Sequence, residues 1–265
     1  MIFGIFFIFG LIIGSFLNVV VCRIRKEESI LGRSYCPKCK KKIAWYDNIP
    51  VFSFLFLQGK CRKCHKKISW QYPAVELLTG FLFAFLGFHF LVSLDAQTLI
   101  KTFFYLVFAS FFVVILVYDF LYLEIPDAAL WPAIFLAVVF NLYLGATEIK
   151  TVDNFLKDPV YSAVLAATVS FAFFFSLSYF SKEKWMGMGD AFLVILLGLI
   201  LGWPEMLLGL FLAFAVGAMY GIILIVADKK KMKSQVPFAP FLIFGSFVSL
   251  LFSKPIFDFY FSLFY

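Results

Sequence analysis

The chain has 265 residues, of which 63% are hydrophobic and only 15% are charged. One soluble core of this length cannot bury so many apolar side chains, so the composition excludes a soluble globular protein and indicates a polytopic membrane protein. The formal net charge of +7 reflects where basic residues lie relative to the membrane, so we expect contact with membrane lipid and none with nucleic acid.

Eight apolar runs resemble membrane spans, which need about 17 to 25 residues. The sixth run is short, and Trp203-Pro204-Glu205 predicts a tight reversal into the seventh. The expected fold class is all-α, with about eight transmembrane helices and a small loop module. The runs lie near 2–22, 74–93, 102–118, 128–146, 160–180, 190–202, 206–226 and 237–252.

The positions of Lys and Arg predict the orientation, because cytoplasmic loops are enriched in them. Loops 23–73, 181–189 and 228–234 lie on one side of an eight-span chain and hold 19 of the 23 basic residues. We therefore expect these loops, and loop 119–127, to face the cytoplasm, with both termini on the other side.

The first of these loops contains four cysteines in two CxxC pairs separated by 21 residues. Such pairs place four thiolates around a tetrahedral zinc ion. Disulfides are the alternative, but the cytoplasm is a reducing compartment. The loop has too few residues for a confident independent core, so the metal would stabilise it. The predicted ligands are Cys36, Cys39, Cys61 and Cys64.

The segment from Cys61 to His65 also matches the haem c attachment pattern CxxCH. Haem c is attached outside the cytoplasm, and this interpretation leaves Cys36 and Cys39 unexplained, so we reject it. We expect His65 to be an exposed histidine rather than a ligand and Cys22 to be a small apolar filler.

Two acids lie where apolar runs begin or end. Asp190 follows Gly187-Met188-Gly189 and starts one run, and Asp119 ends another. A carboxylate inside a bilayer costs roughly 2.5 to 3.5 kcal/mol on insertion scales, so such acids are usually functional. The alternative for each is an acid at a helix end, solvated among the lipid headgroups.

Two carboxylates close together can share a proton, so that one activates a water while the protonated partner polarises a carbonyl. This is aspartic-protease chemistry. Gly187 and Gly189 would let the chain approach closely near Asp190. Asp127 follows a proline and is expected to cap the fourth span, although its nearness to Asp119 leaves a lesser role open.

Motifs through most of the chain resemble those of one family, the bacterial type IV prepilin peptidases, which are GxGD-type aspartyl proteases of the inner membrane. The acidic motifs are Asp119-x7-Asp127 and Gly187-x-Gly189-Asp190, and the tetracysteine loop is a third. Further matching segments are Gly14-Ser15-Phe16-Leu17-Asn18-Val19-Val20, Arg23, Arg33-Ser34, Asp47-Asn48-Ile49-Pro50, Ser53, Gly59, Ile68-Ser69, Tyr72-Pro73 and Val75-Glu76-Leu77-x-Thr79-Gly80.

The resemblance implies that Asp119 and Asp190 are the catalytic pair, supported by Gly187, Gly189 and Asp127. It implies an enzyme of the bacterial inner membrane that removes the basic leader of type IV prepilins or pseudopilins at the cytoplasmic face. Many members with the tetracysteine loop then methylate the new N-terminal amine with S-adenosylmethionine. Spacing alone does not choose Asp119 over Asp127.

Methylation rests on the resemblance, because the sequence contains no glycine-rich nucleotide-binding fingerprint. Asn18, Asp47, Asn48 and Glu76 could serve the methyl donor or dock the zinc loop onto the spans. A peptidase without methylation is the alternative.

An isoprenoid-diphosphate transferase is a runner-up, because Asp119, Glu124 and Asp127 form a loose acidic cluster that could hold Mg²⁺. A zinc-bearing assembly scaffold is a non-enzymatic alternative. The sequence indicates neither the particular substrate nor the oligomeric state. The predicted domains are the first transmembrane helix at 1–22, the cytoplasmic zinc loop at 23–73 and the transmembrane protease core at 74–265.

Overall fold

The computed structural model describes residues 2–148, 158–227 and 236–262. Within them the regular structure is helical, with two isolated β-bridges and no strand. Loop 228–234, used for the predicted orientation, lies outside the described residues, as do Lys150 and Lys157. The helices are α1 Ile2–Arg25, α2 Phe52–Phe56, α3 Gln71–Phe90, α4 Ala96–Tyr122, α5 Asp127–Glu148, α6 Pro159–Ser181, α7 Met188–Leu201, α8 Glu205–Val226 and α9 Ala239–Ser262, with a 3-10 turn at Trp45–Asn48.

Among the described residues, seven helices are long and apolar enough to cross a membrane, namely all except α2 and α7. The predicted class, an all-α protein with multiple membrane spans, is confirmed. The sixth predicted span corresponds to α7, which has 14 residues and a length of about 21 Å, against a hydrocarbon core of about 30 Å. Helix α4 continues to Tyr122, so Asp119 lies inside its last turns rather than beyond its end.

The chain divides into two compact units, one up to Val117 and the other from Tyr118. In the first unit, α1 packs closely against α3 because glycines face the contact. A Cβ at Gly10 would lie 2.6 Å from the carbonyl oxygen of Thr79, and a Cβ at Gly14 would lie 2.8 Å from Cα of Glu76. Small residues allow this close approach, which favours helix association in membranes.

The second unit is built around α7, whose apolar side chains are mostly buried. Asn141 of α5 donates a 2.7 Å hydrogen bond to the Leu199 carbonyl at the end of α7. The Ser162 hydroxyl of α6 accepts a 2.7 Å hydrogen bond from the Trp203 N–H, just beyond α7. These polar contacts fix the carboxyl end of α7 against α5 and α6.

Candidate active site and metal centre

Asp119 and Asp190 come together in the second unit from α4 and α7. Asp119 is buried, with 5% of its surface exposed, and Asp190 is half-buried. The two carboxyl groups are close enough to interact directly by charge. The predicted pair therefore lies in one neighbourhood of the second unit, although 70 residues stand between its members in the sequence.

Helix ends supply backbone donors to both acids. The N–H of Ala239, the first residue of α9, donates to the Asp119 carboxylate. Asp190 lies in the first turn of α7 and accepts a hydrogen bond from the N–H of Gly187, the residue that caps this helix. Free N–H groups at helix N-termini favour negative charge, so each acid has local electrostatic support.

The Asp119 carboxylate is only partly satisfied. Its Oδ2 atom is buried and has no hydrogen-bond partner among the described residues. A buried carboxylate oxygen without a partner is costly, so such an atom is a candidate to bind a proton, a water or a substrate group.

The two glycines of the predicted motif have different surroundings. A Cβ at Gly189 would lie 3.2 Å from Cβ of Ile125, whereas at Gly187 it would lie 3.8 Å from Oδ2 of Asp190. Gly189 therefore allows close contact with Ile125 in the segment between α4 and α5, and Gly187 lies at ordinary contact distance from the Asp190 carboxylate. Asp127 is exposed in the first turn of α5.

The four cysteines of the loop form one cluster in the first unit. The Sγ atoms of Cys36, Cys39, Cys61 and Cys64 all lie within 4.8 Å of one another, and those of Cys36 and Cys64 are 3.9 Å apart. A tetrahedral zinc site with Zn–S bonds of about 2.3 Å requires sulfur–sulfur distances of about 3.8 Å. The donor set and its spacing therefore fit a structural zinc ion with four protein ligands.

The two CxxC pairs fold into equivalent turns. The N–H of Cys36 donates to the Lys41 carbonyl at 3.0 Å, and the N–H of Cys61 donates to the Lys66 carbonyl at 2.9 Å. A single antiparallel bridge closes each turn. Two matching turns that present two sulfurs each explain how a short loop assembles the cluster.

His65 and Lys40 hold equivalent positions in these turns, each with a positive φ of 54° and 58° respectively. His65 is exposed and lies outside the sulfur cluster, and Cys22 also lies outside it. Backbone N–H groups of Cys64 and Lys63 donate to the Cys61 sulfur and lower the pKa of its thiol to about 7, whereas burial and the other three sulfurs raise the pKa of the Cys64 thiol to about 11. Of these two thiols, Cys61 therefore loses its proton first, and a bound metal would favour the thiolate form of both.

Four polar residues were predicted to bind the methyl donor or to dock the loop, and three of them form hydrogen bonds with other protein groups. Asn18 is fully buried and donates to the Tyr72 carbonyl at 3.2 Å, which joins α1 to the start of α3. Asp47 accepts three hydrogen bonds from Arg62, of 3.1 and 2.9 Å from Nε and 2.6 Å from Nη2. Asn48 is exposed and lines two cavities of the loop.

The third partnered candidate, Glu76, holds a strained turn. Its buried carboxylate accepts a 2.7 Å hydrogen bond from the Val51 N–H and another from the Ser15 hydroxyl. Val51 has φ 61° and ψ −49°, and the Phe52 N–H donates to the Pro50 carbonyl at 2.6 Å. These values define a γ-turn of the rare, strained kind. Glu76 therefore docks the loop onto α1 and α3.

Two groups of the molecule have roles that the sequence did not indicate. The Ala239 N–H is a main-chain donor, so no residue type marks it. In the sequence, Arg23 was only one of the residues that match the family motifs. In the structure, its buried guanidinium donates hydrogen bonds to backbone carbonyls of the following loop. A cationic residue at the end of a membrane helix is usually explained by topology alone, which conceals this role.

Fold and site together define a multi-pass membrane protein that combines an interacting aspartate pair with a four-thiolate loop. Residues 8–90 match the bacterial peptidase A24 N-terminal domain, and residues 106–222 match the type IV leader peptidase family. The chain therefore belongs to the type IV leader peptidase family, which confirms the predicted family.

Curated relatives extend this match over nearly the whole chain. A prepilin leader peptidase/N-methyltransferase of Bacillus subtilis is 33% identical over 97% of this chain and 97% of its own length. Proteins with the same name from Aeromonas salmonicida and Pseudomonas aeruginosa are 29% and 28% identical, over 98% and 93% of this chain and 94% and 89% of their own lengths. No solved structure matches the chain significantly.

Proposed function

We propose that this chain cleaves the basic leader from type IV prepilins or pseudopilins with Asp119 and Asp190, and then methylates the new N-terminal amine. The observation that carries the proposal is that these two acids lie near enough to affect each other by charge, and that the buried Oδ2 of Asp119 has no hydrogen-bond partner in the part of the chain that the structure describes. Membership of the family and the names of the relatives support the reaction class.

The cleavage chemistry follows from two neighbouring carboxyl groups that share one proton. The ionised group accepts a proton from a water molecule, whose oxygen attacks the scissile carbonyl carbon, while the protonated group donates a hydrogen bond to the carbonyl oxygen. The unpartnered Oδ2 of Asp119 is suited to contact the water or the carbonyl. The leaving amine takes up a proton as the C–N bond breaks.

The proposed location is the bacterial inner membrane with the acids toward the cytoplasm, because 19 of the 23 basic residues lie in loops of one predicted side. A basic leader would remain on that side while the hydrophobic segment of the substrate enters the membrane. The division into a first helix at 1–22, a zinc loop at 23–73 and a protease core at 74–265 is part of this proposal.

Zinc would be held by the four cysteines as a structural ion, and when bound it would cross-link the two turns of the loop. S-adenosylmethionine is the proposed methyl donor. The product amine would gain the methyl carbon, the carbon–sulfur bond of the donor would break with its electron pair on sulfur, and the amine proton would pass to water.

Cleavage of a purified prepilin tests the peptidase half. We expect Asp119→Asn and Asp190→Asn each to reduce cleavage at least a thousandfold, because each carboxyl has a separate role. Asp127→Asn is the matched control and should reduce cleavage less than tenfold. Full activity of Asp190→Asn would overturn the proposal. Cleavage should persist when Mg²⁺ is removed, because an aspartate pair needs no divalent ion, whereas a diphosphate transferase requires one.

A further inference from the structure

Two adjacent cavities lie in the first unit beside the loop. The larger, of about 610 Å³, extends along α1 and is mostly apolar. The smaller, of about 430 Å³, is formed by loop residues alone. The cavities share three lining residues, Gly32, Ser34 and Asn48, and Arg33, Ile43, Ala44 and Trp45 complete the smaller one.

We propose that the smaller cavity, here called the loop cavity, binds the S-adenosylmethionine that the proposed methyltransferase function requires. Its volume lies in the range of about 300 to 1,000 Å³ that is usual for small-molecule sites. Its lining contains an aromatic ring, a guanidinium group and a side-chain amide, which together match the adenine, carboxylate and polar groups of this donor.

Trp45 offers the surface for the adenine ring. Its side chain is 80% exposed at the start of the 3-10 turn, and Tyr46 packs against it edge-to-face with ring centroids 5.7 Å apart. A large exposed indole that is oriented by a neighbouring ring is suited to stack on a nucleobase. Its exposure is unexplained by packing within the loop.

Arg33 and Asn48 supply the polar recognition. A guanidinium binds a carboxylate through two parallel hydrogen bonds, so Arg33 is suited to the carboxylate of the donor. The Asn48 amide carries both a donor and an acceptor, which suits the edge of a base. Among the four polar candidates, Asn48 is the one that lines this cavity.

Arg23 is a positioning residue for this cavity. It is 5% exposed, and its guanidinium donates to the carbonyls of Ser29, Ile30, Gly32 and Arg33 at 2.9, 2.5, 3.1 and 3.2 Å. Two of these carbonyls belong to Gly32 and Arg33, which line the loop cavity. The four bonds from one rigid group fix a segment that has no helix or strand of its own.

The shared lining connects the donor to a route for the acceptor. Asn48 and Ser34 lie where the loop cavity meets the apolar cavity along α1. A donor in the loop cavity would therefore lie next to an apolar surface, which suits the hydrophobic N-terminal segment of a cleaved pilin.

Calorimetric titration of the full zinc-bound chain with S-adenosylmethionine tests the proposal. We expect Trp45→Ala and Asn48→Ala each to raise the dissociation constant at least tenfold. Trp70→Ala is the matched control, because Trp70 is also an exposed loop tryptophan, at 75%, and lies outside both cavities. It should leave the constant within twofold. Zinc content and thermal unfolding of each variant show whether the loop is intact.

Arg23→Lys separates positioning from simple loss of charge. Lysine keeps the charge but cannot bond four carbonyls at once, so we expect the KM for the donor to rise about tenfold with little change in the kcat of methylation. If wild type binds S-adenosylmethionine and the Trp45→Ala, Asn48→Ala and Arg23→Lys variants bind it equally well, the cavity assignment is wrong and the methyltransferase proposal stands. If wild type neither binds S-adenosylmethionine nor transfers methyl groups, the cavity assignment and the methyltransferase proposal are both wrong, and the peptidase proposal remains.

Discussion

The Glu76 carboxylate accepts a 2.7 Å hydrogen bond from the Val51 N–H across 25 residues of sequence. The same carboxylate contacts the Ser15 hydroxyl on α1. One buried acid thus connects two membrane helices to a turn of the loop. Val51 is β-branched and has a positive φ, a conformation that costs roughly 1 to 3 kcal/mol and persists only where the surrounding structure enforces it.

Replacing Glu76 should therefore loosen the loop without touching the aspartates. We expect Glu76→Leu to reduce methylation at least tenfold and to leave leader cleavage within threefold of wild type, while Glu76→Gln, which keeps an acceptor oxygen, should have a smaller effect. Mass measurement of pilin N-termini reports both steps. Adding Val51→Gly, which removes the strain, should partly restore methylation in Glu76→Leu. A loss of cleavage equal to that of methylation would contradict this separation.

The two motif glycines should differ in their tolerance of alanine. A Cβ at Gly189 meets Ile125 at 3.2 Å, so Gly189→Ala should displace the start of α7 and reduce cleavage at least tenfold. Gly187→Ala should cost less than threefold, since its Cβ would meet its nearest neighbour at 3.8 Å and its backbone is extended. Adding Ile125→Val should restore part of the activity of Gly189→Ala. Equal effects of the two substitutions would show that space at Ile125 is not the constraint.

Zinc analysis of the purified protein tests the sulfur cluster. We expect about one zinc per chain, lost in Cys36→Ser and retained in Cys22→Ser, because Cys22 lies outside the cluster. The serine variant of Cys36 should also make the loop more sensitive to proteolysis, since the metal supplies much of its stability. Protein that is prepared without chelators and contains no zinc would contradict the site.

The Asp47–Arg62 ion pair should contribute little to methyl-donor binding or to the stability of the protein. Its two side chains are 11% and 53% exposed, and exposed ion pairs usually contribute less than about 1 kcal/mol. We expect Asp47→Asn to leave donor binding within twofold and to lower the unfolding temperature by only a few degrees. A double-mutant cycle with Arg62→Gln measures the pair energy. If Asp47→Asn abolishes donor binding while Arg62→Gln does not, Asp47 contacts the donor directly.

Sequence patterns predicted the fold class and the clustering of the four cysteines, for identifiable reasons. Apolar runs must be helical in a bilayer because every backbone group needs a partner there. The CxxC spacing is short, so its geometry is local, and the four sulfurs of the structure lie together as the spacing indicates.

Contacts between distant segments were not predictable in this way. The Val51 N–H donates a hydrogen bond to Glu76, and the Ala239 N–H donates one to Asp119. Both bonds join distant parts of the chain that are brought together by helix packing. The sequence left open whether Asn18, Asp47, Asn48 and Glu76 bind the methyl donor or dock the loop, because a polar residue that fixes a loop and one that binds a ligand are of the same types.

The short length of α7 has a further consequence for its neighbour α6. The Trp203 N–H bonds Ser162 near the start of α6, and Phe192 stacks on Phe171 with ring centroids 5.9 Å apart, so the two helices run side by side. Phe171 precedes the last residue of α6, Ser181, by ten residues, or about 15 Å of helix.

Asp190, two residues before Phe192, therefore lies about 12 Å short of the end of α6. A full-length helix beside a shortened one would leave a recess at membrane depth, where the bilayer thins or water enters. Hydrolysis consumes one water for each bond cut. A hydrated recess at this end of α7 would bring that water to a carboxyl group which an eighth full-length helix would have sealed in hydrocarbon.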